Sequence, residues 1–171
     1  KPLVLRGARQ VGKSTLAQEL GRKFESMAVL DLELRRDLVP LFESSLEPVS
    51  LVAKLEAALD VRIVPGETLL FIDDIQEAPR ALTSLRYFHE KMPELHVMAA
   101  GSLMDFVIEQ VGMPVGRVTS RYIYPMSFHE FLTACGHDWL VEHLADHPVD
   151  DALEPVLHDR LVGLLVEYMA V

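Results

Sequence analysis

The chain has 171 residues, of which half are hydrophobic and a quarter charged, a composition typical of a globular domain with a genuine core. Its net charge is −10, and residues 138–171 hold eight acids but one base, which argues against nucleic-acid binding along this chain. No stretch approaches the roughly 20 apolar residues that span a bilayer, and the lone Cys135 favours a reducing, cytoplasmic location. Because the chain begins with Lys1 and ends in an apolar run, we expect it to be part of a longer protein.

The first segments have the pattern of a phosphate-binding loop between a strand and a helix. Residues 3–6, LVLR, are typical of a buried strand, and residues 14–24 repeat apolar side chains at helical spacing. Between them, GARQVGKST fits G-x-x-x-x-G-K-S/T, in which glycines let backbone amides approach phosphate oxygens. The helix adds its positive end. The predicted nucleotide-binding residues are Gly7, Ala8, Arg9, Gln10, Val11, Gly12, Lys13, Ser14 and Thr15.

A second motif supplies carboxylates. In PGETLLFIDD, residues 65–74, a Pro-Gly turn precedes a continuous apolar run that predicts a central parallel strand ending at two acids. Lys13 is expected to reach the β- and γ-phosphates as a catalytic residue, and Ser14 and Asp73 are the expected Mg²⁺ ligands. Asp74 is the predicted carboxylate that orients or deprotonates the attacking water.

The remaining pattern predicts the fold class. Further strands are predicted at residues 27–33 and 95–102, and helices at 49–59, 78–92, from 128 onward, at 139–147 and at about 152–170. Strands alternating with helices predict an α/β fold, the three-layer sandwich of P-loop NTPases with a parallel central sheet, plus a small C-terminal helical segment. We expect the ATPase core to occupy residues 1–126 and the helical segment residues 127–171. No regular element is predicted between Ser102 and the capping box that starts at Ser127.

Ligands of parallel sheets bind at the carboxyl ends of the strands, where the loop, the acidic pair and Ser102 would converge. Ser102 is predicted to hydrogen-bond the γ-phosphate or the water. Arg117 and, after it, Arg121 are candidates to neutralise transition-state charge. If Arg117 serves a neighbouring subunit, the chain must form a homo-oligomer for fast turnover. His143 and His147 lie four residues apart, but an acidic helix face accounts for them better than a zinc site.

Five segments carry a resemblance to known proteins: GARQVGKST, LLFIDDIQ, AAGS, VGRV and YIYPMSFHEF. Together they resemble a family of prokaryotic AAA-class ATPases, an ATP-binding core followed by a C-terminal domain of unknown function. The resemblance implies that the loop binds ATP or ADP and that Ser14 and Asp73 hold Mg²⁺. It also implies a sensor-like role for Ser102, a finger-like role for Arg117, and a partner in the missing C-terminal domain. Family members commonly carry Glu where this chain has Asp74.

Three functions stay open at this point. The first is a Mg²⁺-dependent ATPase whose cycle switches the attached C-terminal domain. The second is a nucleotide-gated switch or scaffold that hydrolyses ATP slowly or not at all, since Asp74 is one methylene shorter than glutamate. The third is a small-molecule kinase with a basic lid at residues 35–36. A GTPase is disfavoured because the sequence has no Asn-Lys-x-Asp guanine signature.

Overall fold

Two compact units make up the part of the chain that the structure describes. The computed structural model describes residues 1–102, 104–148 and 150–170. The first unit runs from Lys1 to Tyr124, and the second begins at Pro125. Because the phosphate-loop sequence and the acidic pair both lie in the first unit, the candidate nucleotide-binding site belongs to that unit alone.

A parallel sheet of five strands forms the centre of the first unit. Its strands are β1 (Leu3–Arg6), β2 (Ser26–Asp31), β3 (Thr68–Asp73), β4 (His96–Gly101) and β5 (Thr119–Tyr122). They lie in the order β2-β3-β4-β1-β5, and every neighbouring pair is parallel. The predicted α/β class with a parallel sheet is therefore confirmed. In this order β4 separates β1, which leads into the phosphate loop, from β3, which ends at the acidic pair.

Helices cover both faces of the sheet. They are α1 (Lys13–Gly21), α2 (Val39–Ser44), α3 (Pro48–Leu59), α4 (Pro79–Lys91) and α5 (Met104–Val111). Along β3, Leu69 and Phe71 pack with Ala17 of α1 on one face, because side chains alternate across a strand. Leu70 and Ile72 point to the other face and join the larger core formed with the remaining helices. This is the predicted three-layer arrangement.

Some elements differ from the sequence prediction. Helix α1 ends at Gly21 instead of continuing to Phe24, and a Cβ at Gly21 would collide with the side chain of Met27. Helices α2 and α5 and strand β5 were not predicted. Helix α2 is only 6 residues long and β5 only 4, too short for a period of apolar residues to stand out.

The described residues of the second unit form three helices: α6 (Phe128–Ala134), α7 (Asp138–Asp146) and α8 (Pro155–Ala170). Its small core consists of Leu132, Leu140 and Leu161. The predicted capping box is confirmed, since Glu130 N–H donates to Ser127 Oγ at 3.3 Å and Ser127 N–H to Glu130 Oε2 at 2.7 Å. Across both units, none of the described helices combines the length and the apolar character that a membrane crossing requires.

Candidate nucleotide-binding site

The loop between β1 and α1 is shaped by residues with positive φ. Gly7 has φ 148°, Gln10 63° and Gly12 85°, and such angles favour glycine because a Cβ meets the backbone there. At Gly7 space is also lacking, since a Cβ would collide with the carbonyl oxygen of Ile123, the residue that follows β5. The loop therefore lies between the first turn of α1 and the end of β5, the edge strand of the sheet.

The first turn of α1 presents backbone amides to an open cavity. Gly12 occupies the N-cap position, where no described side chain accepts a hydrogen bond from the helix amides. The cavity has a volume of about 220 Å³ and is lined by Gln10, Gly12, Lys13, Ser14 and Thr15. Sites that enclose a whole small molecule measure roughly 300–1,000 Å³. The cavity therefore suits the phosphate tail of a nucleotide, bound by the amides and the helix dipole.

Lys13 is buried at the base of this loop. Its ammonium donates to the carbonyl oxygens of Gly7 at 3.1 Å and Ala8 at 2.6 Å. Burial lowers the pKa of Lys13 below its usual range, although the carboxylates of Asp73 and Asp74 act in the opposite direction. Because both bonds go to the loop itself, a phosphate can take the place of these carbonyls without breaking an ion pair of Lys13.

The residues predicted to hold Mg²⁺ lie in direct contact. Ser14 Oγ donates to Asp73 Oδ2 at 2.5 Å, and Asp74 N–H donates to Asp73 Oδ1 at 3.0 Å. A hydroxyl and a carboxylate oxygen are the hard ligands that Mg²⁺ takes, together with substrate phosphates and water. The described residues contain no cluster of three or more His, Cys, Asp or Glu that could hold a metal ion without a substrate. The pair therefore fits a cation that binds with a nucleotide.

Asp73 itself is half-buried, and this burial raises the pKa of its carboxyl above the usual range, with Asp74 and Asp31 acting in the same direction. Hydrogen bonds from Ser14 and from the Asp74 amide oppose the rise. A raised pKa means that the folded state favours the protonated carboxyl. Stability from Asp73 is therefore fully present below its unfolded pKa and is lost as the pH rises through the folded pKa.

We expect Asp73→Asn to raise the Tm of the metal-free protein at pH 7, because the variant removes a carboxylate that is charged and partly desolvated. The gain should shrink toward zero as the pH falls below about 4, where aspartate is protonated in both states. Thermal melts of wild type and variant in EDTA across this range test the prediction. Asp60→Asn at an exposed site is the control and should show no such pH-dependent gain. An Asp73→Asn protein that melts below wild type at pH 7 would contradict it.

A residue that the sequence analysis did not single out joins the other two predicted site residues. Gln76 Nε2 donates to Asp74 Oδ1 at 2.7 Å, and Gln76 Oε1 accepts from the backbone N–H of Ser102 at 3.2 Å. The Ser102 hydroxyl is buried and has no hydrogen-bond partner among the described residues. Such a group is costly unless a ligand pairs with it. The sequence signal for Gln76 was its place at the end of the segment LLFIDDIQ, two residues after Asp74.

One of the two arginines predicted to neutralise charge, Arg117, lies away from the phosphate loop. Arg117 precedes β5, whose first residue Thr119 pairs with Leu3, so it lies at the edge of the sheet opposite the phosphate loop. There Arg117 Nε donates to Glu90 Oε1 at 2.8 Å. The structure therefore does not bring Arg117 to the loop of its own chain, and its service to a neighbouring subunit stays a prediction. Arg121 lies within β5 and is exposed.

Comparisons with known proteins give a family and two structures of similar fold. A family model described as "AAA domain" matches residues 1–132. A solved structure of Drosophila ORC bound to DNA is similar to the chain with a TM-score of 0.53 at 16% identity, covering 85% of this chain and 44% of that one. A structure reported as the structural basis for katanin self-assembly gives a TM-score of 0.49 at 17% identity, covering 95% and 51%. The chain thus spans about half the length of these structures. No curated protein sequence matches it.

Proposed function

This chain belongs to the AAA domain family, and we propose that it binds ATP together with Mg²⁺ and hydrolyses it to ADP and phosphate. In the proposal, the loop at residues 7–15 holds the phosphate tail, and the nucleotide cycle switches the position of an attached C-terminal domain. The proposal includes a cytoplasmic location, which follows from the cysteine usage described above.

One observation carries the proposal, the hydrogen bond between Ser14 and Asp73 at 2.5 Å. The two residues lie 59 positions apart in sequence. Ser14 lies in the first turn of α1 and Asp73 ends β3, and both lie at the carboxyl edge of the sheet. A hydroxyl next to the phosphate-binding amides and a carboxylate behind it form the arrangement that a nucleotide-bound cation requires. A Gly-rich surface turn with a solvated lysine does not require Ser14 and Asp73 to lie in contact.

The residues of the site divide the chemistry between them. The amides at the start of α1 and the ammonium of Lys13 would bind and orient the phosphates, while Ser14 and Asp73 would hold Mg²⁺. When bound, the ion supplies positive charge against the developing charge of the phosphoryl oxygens. Asp74 would orient the attacking water and accept its proton, and the unpaired hydroxyl of Ser102 would donate to the γ-phosphate or to the water. Positioning and electrostatics thus account for the catalysis.

Asp74→Asn is expected to lower kcat for phosphate release from Mg²⁺-ATP on the order of 10²-fold, because it removes the general base. The rise in Tm that ATP produces should persist, since the loop and Lys13 are intact. Phosphate release and ATP-dependent melting of wild type and variant test this. Asp60→Asn is a matched control, because Asp60, like Asp74, has a left-handed backbone, with φ 52° against 48°.

A second candidate, the nucleotide-gated switch, is favoured by the short side chain of Asp74, which is one methylene shorter than the glutamate that the resembling family commonly carries there. The same experiment separates the two functions. If wild type releases no phosphate while ATP still raises its Tm, hydrolysis is wrong and the switch is the better description. If neither phosphate release nor a shift in Tm occurs, the nucleotide-binding proposal itself fails.

A further inference from the structure

Gln76 bridges the ends of two strands with one side chain. Its amide group donates to the Asp74 carboxylate, and its carbonyl oxygen accepts from the amide of Ser102 at the end of β4. Glutamine is suited to this because it carries a donor and an acceptor on the same terminal group. We infer that Gln76 is the positioning residue that fixes the Asp74 carboxylate and couples it to the end of β4. This inference rests on the proposed function, since Asp74 is its general base.

The backbone around Gln76 holds it in place for this role. Asp74 has φ 48°, a left-handed conformation that non-glycine residues adopt only rarely. This conformation starts the 3-10 turn Ile75–Glu77, in which Glu77 N–H donates to Asp74 O at 3.0 Å. Ile75 is fully buried in the core and anchors the turn. The strained residue and the anchored turn together direct Gln76 back toward the end of β4.

The end of β4 leaves room for this side chain at one position. A Cβ at Gly101 would lie 2.8 Å from Gln76 Oε1 and 2.6 Å from Met104 Sδ, both too close. Gly101 does not have a positive φ, so the absence of a side chain matters here for space. A larger residue would require the side chains of Gln76 and Met104 to shift, and we expect the hydrogen bond to the Ser102 amide to weaken.

The bridge has a chemical consequence for a short carboxylate. A donor fixed on Oδ1 holds the plane of the Asp74 carboxyl and leaves Oδ2 for a water molecule. Gln76 Oε1 accepts from the backbone N–H of Ser102, the residue whose unpaired hydroxyl would donate to the γ-phosphate. A movement of Ser102 toward a ligand therefore moves Gln76, and Gln76 moves the carboxylate.

A double-mutant cycle tests the positioning role through turnover. Gln76→Leu is expected to lower kcat on the order of 10- to 100-fold while KM for Mg²⁺-ATP and the ATP-induced rise in Tm change by less than about 3-fold. In the Asp74→Asn background the same substitution should have no further effect, because Gln76 acts through Asp74. The matched control, Gln110→Leu at an exposed position of helix α5, should leave kcat unchanged. Additive losses, or a Gln76→Leu protein with normal kcat, would overturn the inference.

A measurement without turnover separates this inference from the proposed function. The side-chain amide protons of Gln76, assigned in NMR spectra by their loss in Gln76→Leu, should exchange with water more slowly than those of Gln110. Asp74→Ala should accelerate that exchange, and so should Gly101→Ala. If Gln76 exchanges as fast as Gln110, the bridge is wrong whatever the ATPase activity. If exchange is slow and depends on Asp74 but wild type releases no phosphate, the hydrolysis proposal fails and the bridge stands.

Discussion

Replacing Lys13 with alanine is expected to lower kcat/KM for Mg²⁺-ATP by at least about 10³-fold, and to abolish the rise in Tm that ATP produces. Lys13 is the one cation buried beneath the loop among the described residues, and its ammonium lies on the carbonyls of Gly7 and Ala8. Arg9, the other cation of the loop among the described residues, does not supply this charge, since it extends outward to Glu33 at 3.3 Å. Phosphate release and ATP-dependent melting measure both effects.

The same variant should not destabilise the nucleotide-free protein. Burial lowers the pKa of Lys13, so at neutral pH the folded state carries the cost of a desolvated ammonium, and alanine removes that cost. We therefore expect the Tm without ATP to be equal to or above that of wild type. Lys23→Ala, at an exposed lysine just after α1, is the control for loss of a positive charge. An ATP-induced shift that survives in Lys13→Ala would refute the assignment, whereas Lys23→Ala should keep the shift.

Gly7→Ala is expected to have the largest effect on stability. Its φ of 148° disfavours any side chain, and the new Cβ would collide with the carbonyl oxygen of Ile123. Strain and overpacking together should cost about 3 kcal/mol of unfolding free energy, or a fall in Tm on the order of 10 °C. Thermal and chemical denaturation of the nucleotide-free protein measure this loss.

Gly66→Ala distinguishes the collision from the backbone effect. Gly66 also has a positive φ, 87°, but a Cβ there would meet no atom within 4 Å. It should therefore cost only about 1–2 kcal/mol, the strain of a left-handed residue. Equal losses of unfolding free energy in the two variants would show that the collision with Ile123 adds no cost in Gly7→Ala.

The sequence predicted the parts of the site that depend on local pattern. The phosphate loop was predictable because its glycines and lysine have fixed spacing, and β3 because four apolar residues precede Asp73. The roles of these residues stay predictions. What the sequence could not predict is the spatial order of the strands, since the pattern of one strand carries no information about its neighbours. The place of Ser102 beside Gln76 depends on that order.

The remote arginine illustrates the same limit. Arg117 follows β4 and Ser102 in sequence, and on that basis it was a candidate to neutralise the charge of the transition state. Its location is determined by β5, a short edge strand whose pairing with β1 starts at Leu3 and Thr119. An exposed strand of 4 residues has no periodic signal, so the edge of the sheet on which Arg117 lies was not predictable.

The position of β1 between β4 and β5 has a consequence for how the chain folds. Leu3 pairs with Met98 and Thr119, whereas the pairs of β2 with β3 join residues only about 40 positions apart, such as Ser26 and Thr68. Closing the longer loops costs more chain entropy, and contacts of high sequence separation form late. During synthesis, β1 emerges first but has no partner until most of the first unit has left the ribosome. We therefore expect β1 to join the sheet late, so that the proposed nucleotide site is completed only when the sheet is nearly complete.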